Sequence, residues 1–186
     1  MRLCLLIAFM LLSVAPASAQ KSYNPPPGLQ SLQSSAEQGD ADAQGSLAVL
    51  YHEGLGLEKD AAEAAKWFRK SAEQGHAMSQ YNLGYLYEQG DGVEKNPATA
   101  AGWYRKAATQ GDTAAQAALG TLYREGRGVK QDDAEACFWL SLAARQGNAD
   151  AHEIQALAHR LTDDEKVALK ERLNYWKPVV DWKPFP

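Results

Sequence analysis

The chain repeats itself every 36 residues, and that period constrains its fold more than any local signal does. The Gln-Gly pair stands at Gln38-Gly39, Gln74-Gly75, Gln110-Gly111 and Gln146-Gly147. Tyr51, Tyr87 and Tyr123 keep the same step. So do the turns Gly54/Gly56, Gly90/Gly92 and Gly126/Gly128, and the tryptophans Trp67, Trp103 and Trp139. A period of about 20–50 residues belongs to stacked supersecondary units, each too small to bury its own apolar face and completed by its neighbours.

Each unit divides into two helices. The first follows a capping residue at Asp40, His76, Asp112 or Asn148, of which His76 is the weak one. It runs to Glu53, Gln89 or Glu125, where a GxG turn supplies residues that take positive φ without strain. The second opens behind Asp60, Asn96 and Asp132, with Pro97 at a first helical position that needs no N–H. Asp60/Glu63 and Asp132/Glu135 have capping-box spacing. On the first helix Ala43, Leu47, Leu50 and Tyr51 share one face. Ala48, Gly84 and Gly120 lie on that face and admit the partner helix closely. On the second, Ala64, Trp67, Phe68 and Ser71 oppose it, and the tryptophan at each step reads as a core anchor rather than a ligand box.

The expected architecture is therefore all-α: an α-solenoid of antiparallel helix pairs. Its units fall at about 36–71, 72–107 and 108–143, with a partial fourth at 144–161. A half-repeat from Leu29 caps the front. Thr162 and Glu165 open a capping helix over 162–176, in which Val167, Leu169 and Leu173 would cover the open end.

The flanks speak to location. Arg2, the apolar run Leu3 to Leu12 and Ala17-Ser18-Ala19 read as a signal peptide over 1–19, cut after Ala19, which predicts a periplasmic or secreted protein. The apolar run is too short to span a bilayer, so the mature chain is expected not to insert in a membrane. Residues 20–28 read as an extended Pro-rich leader and 177–186 as a Pro/Trp tail. Removing the signal loses one charge and leaves 18 Lys and Arg against 23 Asp and Glu, with no basic stripe for nucleic acid. It also leaves Cys137 as the one cysteine. That excludes an internal disulfide, so stability is expected from packing alone; the chain is expected to be a monomer.

No catalytic motif is legible, and neither a cofactor nor a metal is implied. His152 and His159 lie two helical turns apart, too far for one ion, and read as surface residues. Cys137 replaces Ala65 and Ala101 and reads as a small packed residue. What remains is the face of the first helices that the core does not use, around Asp42, Gly45, Val49, His52 and Glu53, which stacking turns toward the inner surface. The residues expected to bind a partner there are Val49, His52, Met78, Tyr81, Tyr85, Glu88, Thr121 and Arg124. Met78, Tyr81 and Tyr85, at i, i+3 and i+7, supply the kind of side chains enriched at interface centres. Glu88 and Arg124 would set orientation.

The pattern AxQGxAxAQxxLGxxYxxGxGVxxDxxxAxxWYxKAA, covering Ala36 to about Ala151, resembles the Sel1-like repeat of the tetratricopeptide superfamily. Ala48, Leu57 and Leu140 depart from it. The resemblance implies a right-handed superhelix of antiparallel helix pairs that binds other proteins; with no catalytic motif legible, the chain is expected not to be an enzyme and to bind on its concave face. Its exported members resemble adaptors and scaffolds, so the expected partner is a protein or peptide of the cell envelope. Two alternatives stand beside this. One is an enzyme or binder acting on peptidoglycan or β-lactams, which would need a nucleophile with a nearby base; the cysteine-rich branch linked to β-lactam binding carries a disulfide in each repeat, which this chain with Cys137 alone does not resemble. The other is a periplasmic regulator of a sensor kinase.

Overall fold

The computed structural model describes residues 27–179, so the signal-peptide reading for 1–19, the 20–28 leader up to residue 26 and the 177–186 tail from residue 180 lie outside it; the last two leader residues, expected to be extended, instead open the first helix. Among the described residues there are nine helices and no strand. They are α1 (Pro27–Glu37), α2 (Ala41–Glu53), α3 (Ala61–Glu73), α4 (Ala77–Gln89), α5 (Pro97–Thr109), α6 (Thr113–Glu125), α7 (Asp133–Ala144), α8 (Ala151–Ala158) and α9 (Asp163–Tyr175). Each of α1 to α7 packs on the helix that follows it, and α9 turns back onto α7. The solenoid of helix pairs expected from the period is the structure observed.

The boundaries follow from backbone chemistry. Asp40, Asp112, Asp60, Asn96 and Asp132 all have extended backbone and accept from an N–H in the first turn. His76 does so as well, through Nδ1, 3.2 Å from the Ser79 N–H. At the far ends Gly54, Gly90 and Gly126 sit near φ +73°, +79° and +68°, where a side chain would be strained. The second glycine of the turn is pinned from outside. A Cβ on Gly92 or Gly128 would lie 2.2 or 2.3 Å from the backbone of Ala61 or Pro97 at the start of the preceding unit's second helix.

Two expectations need correction. The fourth first-helix opens behind Asp150, not Asn148; Asp150 accepts from the His152 N–H at 2.8 Å, while Asn148 stays in the turn, bonded to the Ala143 carbonyl. The capping box is complete only at Thr162/Glu165. Glu63 turns instead to Lys66, and Glu135 to Trp139 and Arg172.

The core also differs from expectation in its anchors. Trp139 is buried, but Trp67 and Trp103 are only half-buried, each under a lysine ammonium (Lys70 at 3.8 Å and Lys106 at 4.0 Å from the ring centre). The buried aromatic of the first two units is the next residue, Phe68 or Tyr104, 3% and 1% exposed. Small residues make room for it. A Cβ on Gly84 would lie 2.8 Å from the Tyr104 ring, and one on Gly120 2.7 Å from Leu140.

The terminal helix docks where the outer face of the stack turns apolar. Lys66, Arg69 and Lys70 on α3, and Gly102, Arg105 and Lys106 on α5, become Phe138, Ser141 and Leu142 on α7. Leu169, Leu173 and Trp176 pack against the cluster holding Phe138, Trp139 and Leu142. Arg172 lies 4.1 Å over the Phe138 ring. Val167, expected to help cover the end, is 59% exposed. Beyond α9 the chain returns to the turn between α5 and α6, where the Val179 N–H donates to the Thr109 carbonyl at 2.8 Å and Pro178 rests against Gly111.

Glutamines clamp successive layers. Gln44, Gln80 and Gln116 donate to the carbonyls of Ala36, Ala72 and Ala108. Gln74 and Gln110 each donate to the turn of the unit before, Gly39 or Gly75, and to the side-chain oxygen of Gln44 or Gln80 at 2.8 Å. The ladder stops there. Gln146 is exposed, and the buried Oε1 of Gln116 has no hydrogen-bond partner.

Candidate functional site

A groove runs along the adjacent first helices of two units, α2 and α4. Gly45 lets them approach: a Cβ there would lie 2.7 Å from Ser79 Oγ, which meets Ser71 Oγ at 2.7 Å. Gly45, expected on the free face, is therefore buried in the contact. Farther along, Val49 on α2 is shorter than the tyrosines facing it, and a cleft of about 320 Å3 opens between them. His52, Tyr81 and Tyr85 line it over a floor of Val49, Phe68 and Leu86. A second cleft of about 180 Å3 shares Val49 and Phe68 and adds Met78, Asp42 and His76. Met78 is 59% exposed and Tyr85 42%.

Five of the eight expected residues thus meet in two joined clefts. Tyr81 does more than line one. It packs on the core cluster of the third layer, its ring 5.6 Å from that of Tyr104. Burial first, then the charge of Asp112, pushes its hydroxyl pKa up. A core contact does require this tyrosine, contrary to the sequence reading.

Glu88, Thr121 and Arg124 line neither cleft. Glu88 is a tie between layers, its side chain 13% exposed. It accepts from the Tyr104 hydroxyl at 2.7 Å and pairs with Arg127 at 2.8 Å. Burial, and then that hydrogen bond, raise the Tyr104 hydroxyl far above its usual range. Arg124 joins Glu125 on its own helix to Glu153 on α8. Hydrogen bonds from Arg124 and Arg127 hold the Glu125 carboxyl below the ordinary value. These charges are satisfied within the stack and are not free to orient a partner. Thr121 is half-buried on α6.

The floor of the groove was not foreseen as such. Phe68 was read as core, and it is; it reaches the groove because the first unit carries small Gly45 and Val49 where the second has Tyr81 and Tyr85. That size difference was visible in the aligned repeats.

No three His, Cys, Asp or Glu among the described residues could hold a metal ion. His152 and His159 are exposed. Burial raises the Cys137 thiol pKa to about 11, and its Sγ faces the Ile154 carbonyl at 3.8 Å. No described helix is long and apolar enough to cross a membrane.

No curated protein matches the chain. Among solved structures, it is similar to a protective antigen present in uropathogenic Escherichia coli strains that displays an SLR fold. The two are 46% identical over 64% of this chain and 26% of that one, with a TM-score of 0.62. It is also similar to a Sel1 repeat protein from Oxalobacter formigenes, 41% identical over 64% of this chain and 49% of the other, with a TM-score of 0.60. The chain thus spans about a quarter and about half of those two proteins. The Sel1 repeat model matches residues 41–76, 77–112 and 113–148, three contiguous copies that take in α2 to α7, and the chain belongs to the Sel1 repeat family.

Proposed function

We propose that this chain is an exported, non-catalytic scaffold that holds a segment of a cell-envelope protein in the groove between α2 and α4. Sel1 repeat proteins generally act as scaffolds for protein–protein interaction. The observation that carries the reading is the pair Met78 and Tyr85. Both are exposed, both stand over an apolar floor of Val49 and Phe68, and neither is needed to close the core. Large side chains of this kind at the centre of a concavity are typical anchors of recognition. Export rests on Arg2, the run Leu3 to Leu12 and Ala17-Ser18-Ala19. In keeping with it, one similar protein is a protective antigen.

The test uses the purified chain as bait in envelope extract, beside the Met78→Ala/Tyr85→Ala variant. Capture of a discrete protein that the double variant loses while staying folded supports the reading. Equal capture by both places binding elsewhere. N-terminal sequencing of the protein recovered from a periplasmic fraction should begin at Gln20; an intact Met1 would remove the exported part of the proposal.

A further inference from the structure

Resting on that reading of the groove, we infer that its occupant is a cationic segment, one that sets an aromatic or aliphatic side chain on the Val49/Phe68 floor and flanks it with lysine or arginine. The groove walls carry unbalanced charge. Asp42 and Glu53 line the two clefts with side chains 72% and 56% exposed, and among the described residues no lysine or arginine lines either cleft. Asp91 stands behind His52, 3.1 Å from its ring. Among the described residues these three carboxylates meet imidazoles alone: Asp42 faces His76, and Glu53 and Asp91 face the two ring nitrogens of His52.

The next layer handles the same problem differently. There Glu125, Glu153 and Glu88 are each met by a guanidinium, Arg124 or Arg127. The position of His52 in the first unit is taken by Arg124 in the third. Where the stack closes on itself its carboxylates are neutralised by arginine. Where the clefts open they are left to a partner. Two carboxylates on the walls of an apolar floor, with a third behind His52, complement a segment with a buried anchor and flanking cations, and charge complementarity of this kind sets partner choice and encounter rate.

The experiment is selection of a random 12-residue peptide display library on the folded chain, followed by fluorescence anisotropy with the enriched peptides. The expected result is enrichment of peptides with lysine or arginine within two positions of an aromatic or aliphatic residue. Their affinity should fall about threefold to tenfold between 50 and 300 mM NaCl. It should fall about twofold to fivefold in each of Asp42→Asn and Glu53→Gln, and more than tenfold in Tyr85→Ala. Enriched peptides that are neutral or acidic, yet lost in Tyr85→Ala, overturn the charge inference and leave the groove reading standing. Peptides whose binding ignores Tyr85→Ala and Met78→Ala, or no enrichment at all, overturn both. A circular dichroism melt of each variant confirms that it is folded when tested.

Discussion

Adding one methyl group to Gly84 should destabilise the protein, although the same change normally strengthens a helix. In an exposed helix interior Ala is better than Gly by about 1 kcal/mol. Gly84 is buried, and its new Cβ would lie 2.8 Å from two carbons of the Tyr104 ring and 3.3 Å from the Ala100 carbonyl. The ring has little freedom to retreat, because its hydroxyl is bonded to Glu88 and its other side meets Tyr81. Overpacking of this kind costs about 1–3 kcal/mol, so Gly84→Ala should lose about 0–2 kcal/mol net.

The molecule contains two controls. Gly102 is exposed on α5 with nothing within 4 Å of a Cβ, so Gly102→Ala should gain about 1 kcal/mol, or about 2–4 °C in Tm. The first unit already carries Ala48 against Phe68, which has no hydroxyl to tether it. Adding Tyr104→Phe to Gly84→Ala copies that pair and should give a loss smaller than the sum of the single changes by about 0.5 kcal/mol or more. Urea denaturation followed by circular dichroism reads the parent, the three single variants and the double variant. A Gly84→Ala variant as stabilised as Gly102→Ala would refute the close-packing argument. Strict additivity would refute the tether.

Other perturbations separate packing from surface. Tyr104→Ala should cost about 3–5 kcal/mol, and more than Trp103→Ala, since the tyrosine is 1% exposed and the tryptophan only half-buried; the melting temperatures rank them. Glu88→Ala strands the Tyr104 hydroxyl and should lose about 1–3 kcal/mol, where a rim charge would lose almost nothing. Tyr85→Ala should stay within about 0.5 kcal/mol of the parent, whereas Tyr81→Ala should cost about 1–3 kcal/mol, measured by the same denaturation. The Cys137 pKa, raised by burial to about 11, stabilises the fold fully below the unfolded thiol's value near 9 and loses that contribution as pH rises toward 11; labelling by a thiol reagent at pH 8 should therefore be slow until urea unfolds the chain.

Much of this is legible in the sequence, because a repeat states its own constraints several times over. Caps at Asp60, Asn96 and Asp132, left-handed glycines at Gly54, Gly90 and Gly126, and the small residues at Gly84 and Gly120 are demanded by backbone geometry, and period and local signal agree on them. The misreadings arose where one position serves two roles. Trp67 and Phe68 are adjacent and both aromatic, and the spacing alone does not say which of the two is the more deeply buried. Tyr81 looked free because its contact, Tyr104, lies on the following helix in a layer-specific arrangement. Glu88 looked like a surface charge because its partner Arg127 is 39 residues away in a turn. The docking of α9 was visible in principle: the switch from Lys66, Arg69 and Lys70 to Phe138, Ser141 and Leu142 marks an outer face that something must cover.

The central claim is that partners enter the groove between α2 and α4. Its most direct measurement is a photo-crosslink from that groove in the intact cell envelope. A benzophenone amino acid is placed at Tyr85, which stands over the floor, and in a second strain at Arg105, which is exposed on the outer face of α5. The account predicts a discrete crosslinked species from position 85 and none from position 105, with the former lost when Met78→Ala is added. Crosslinking from position 105 alone, or equally from both, would contradict it.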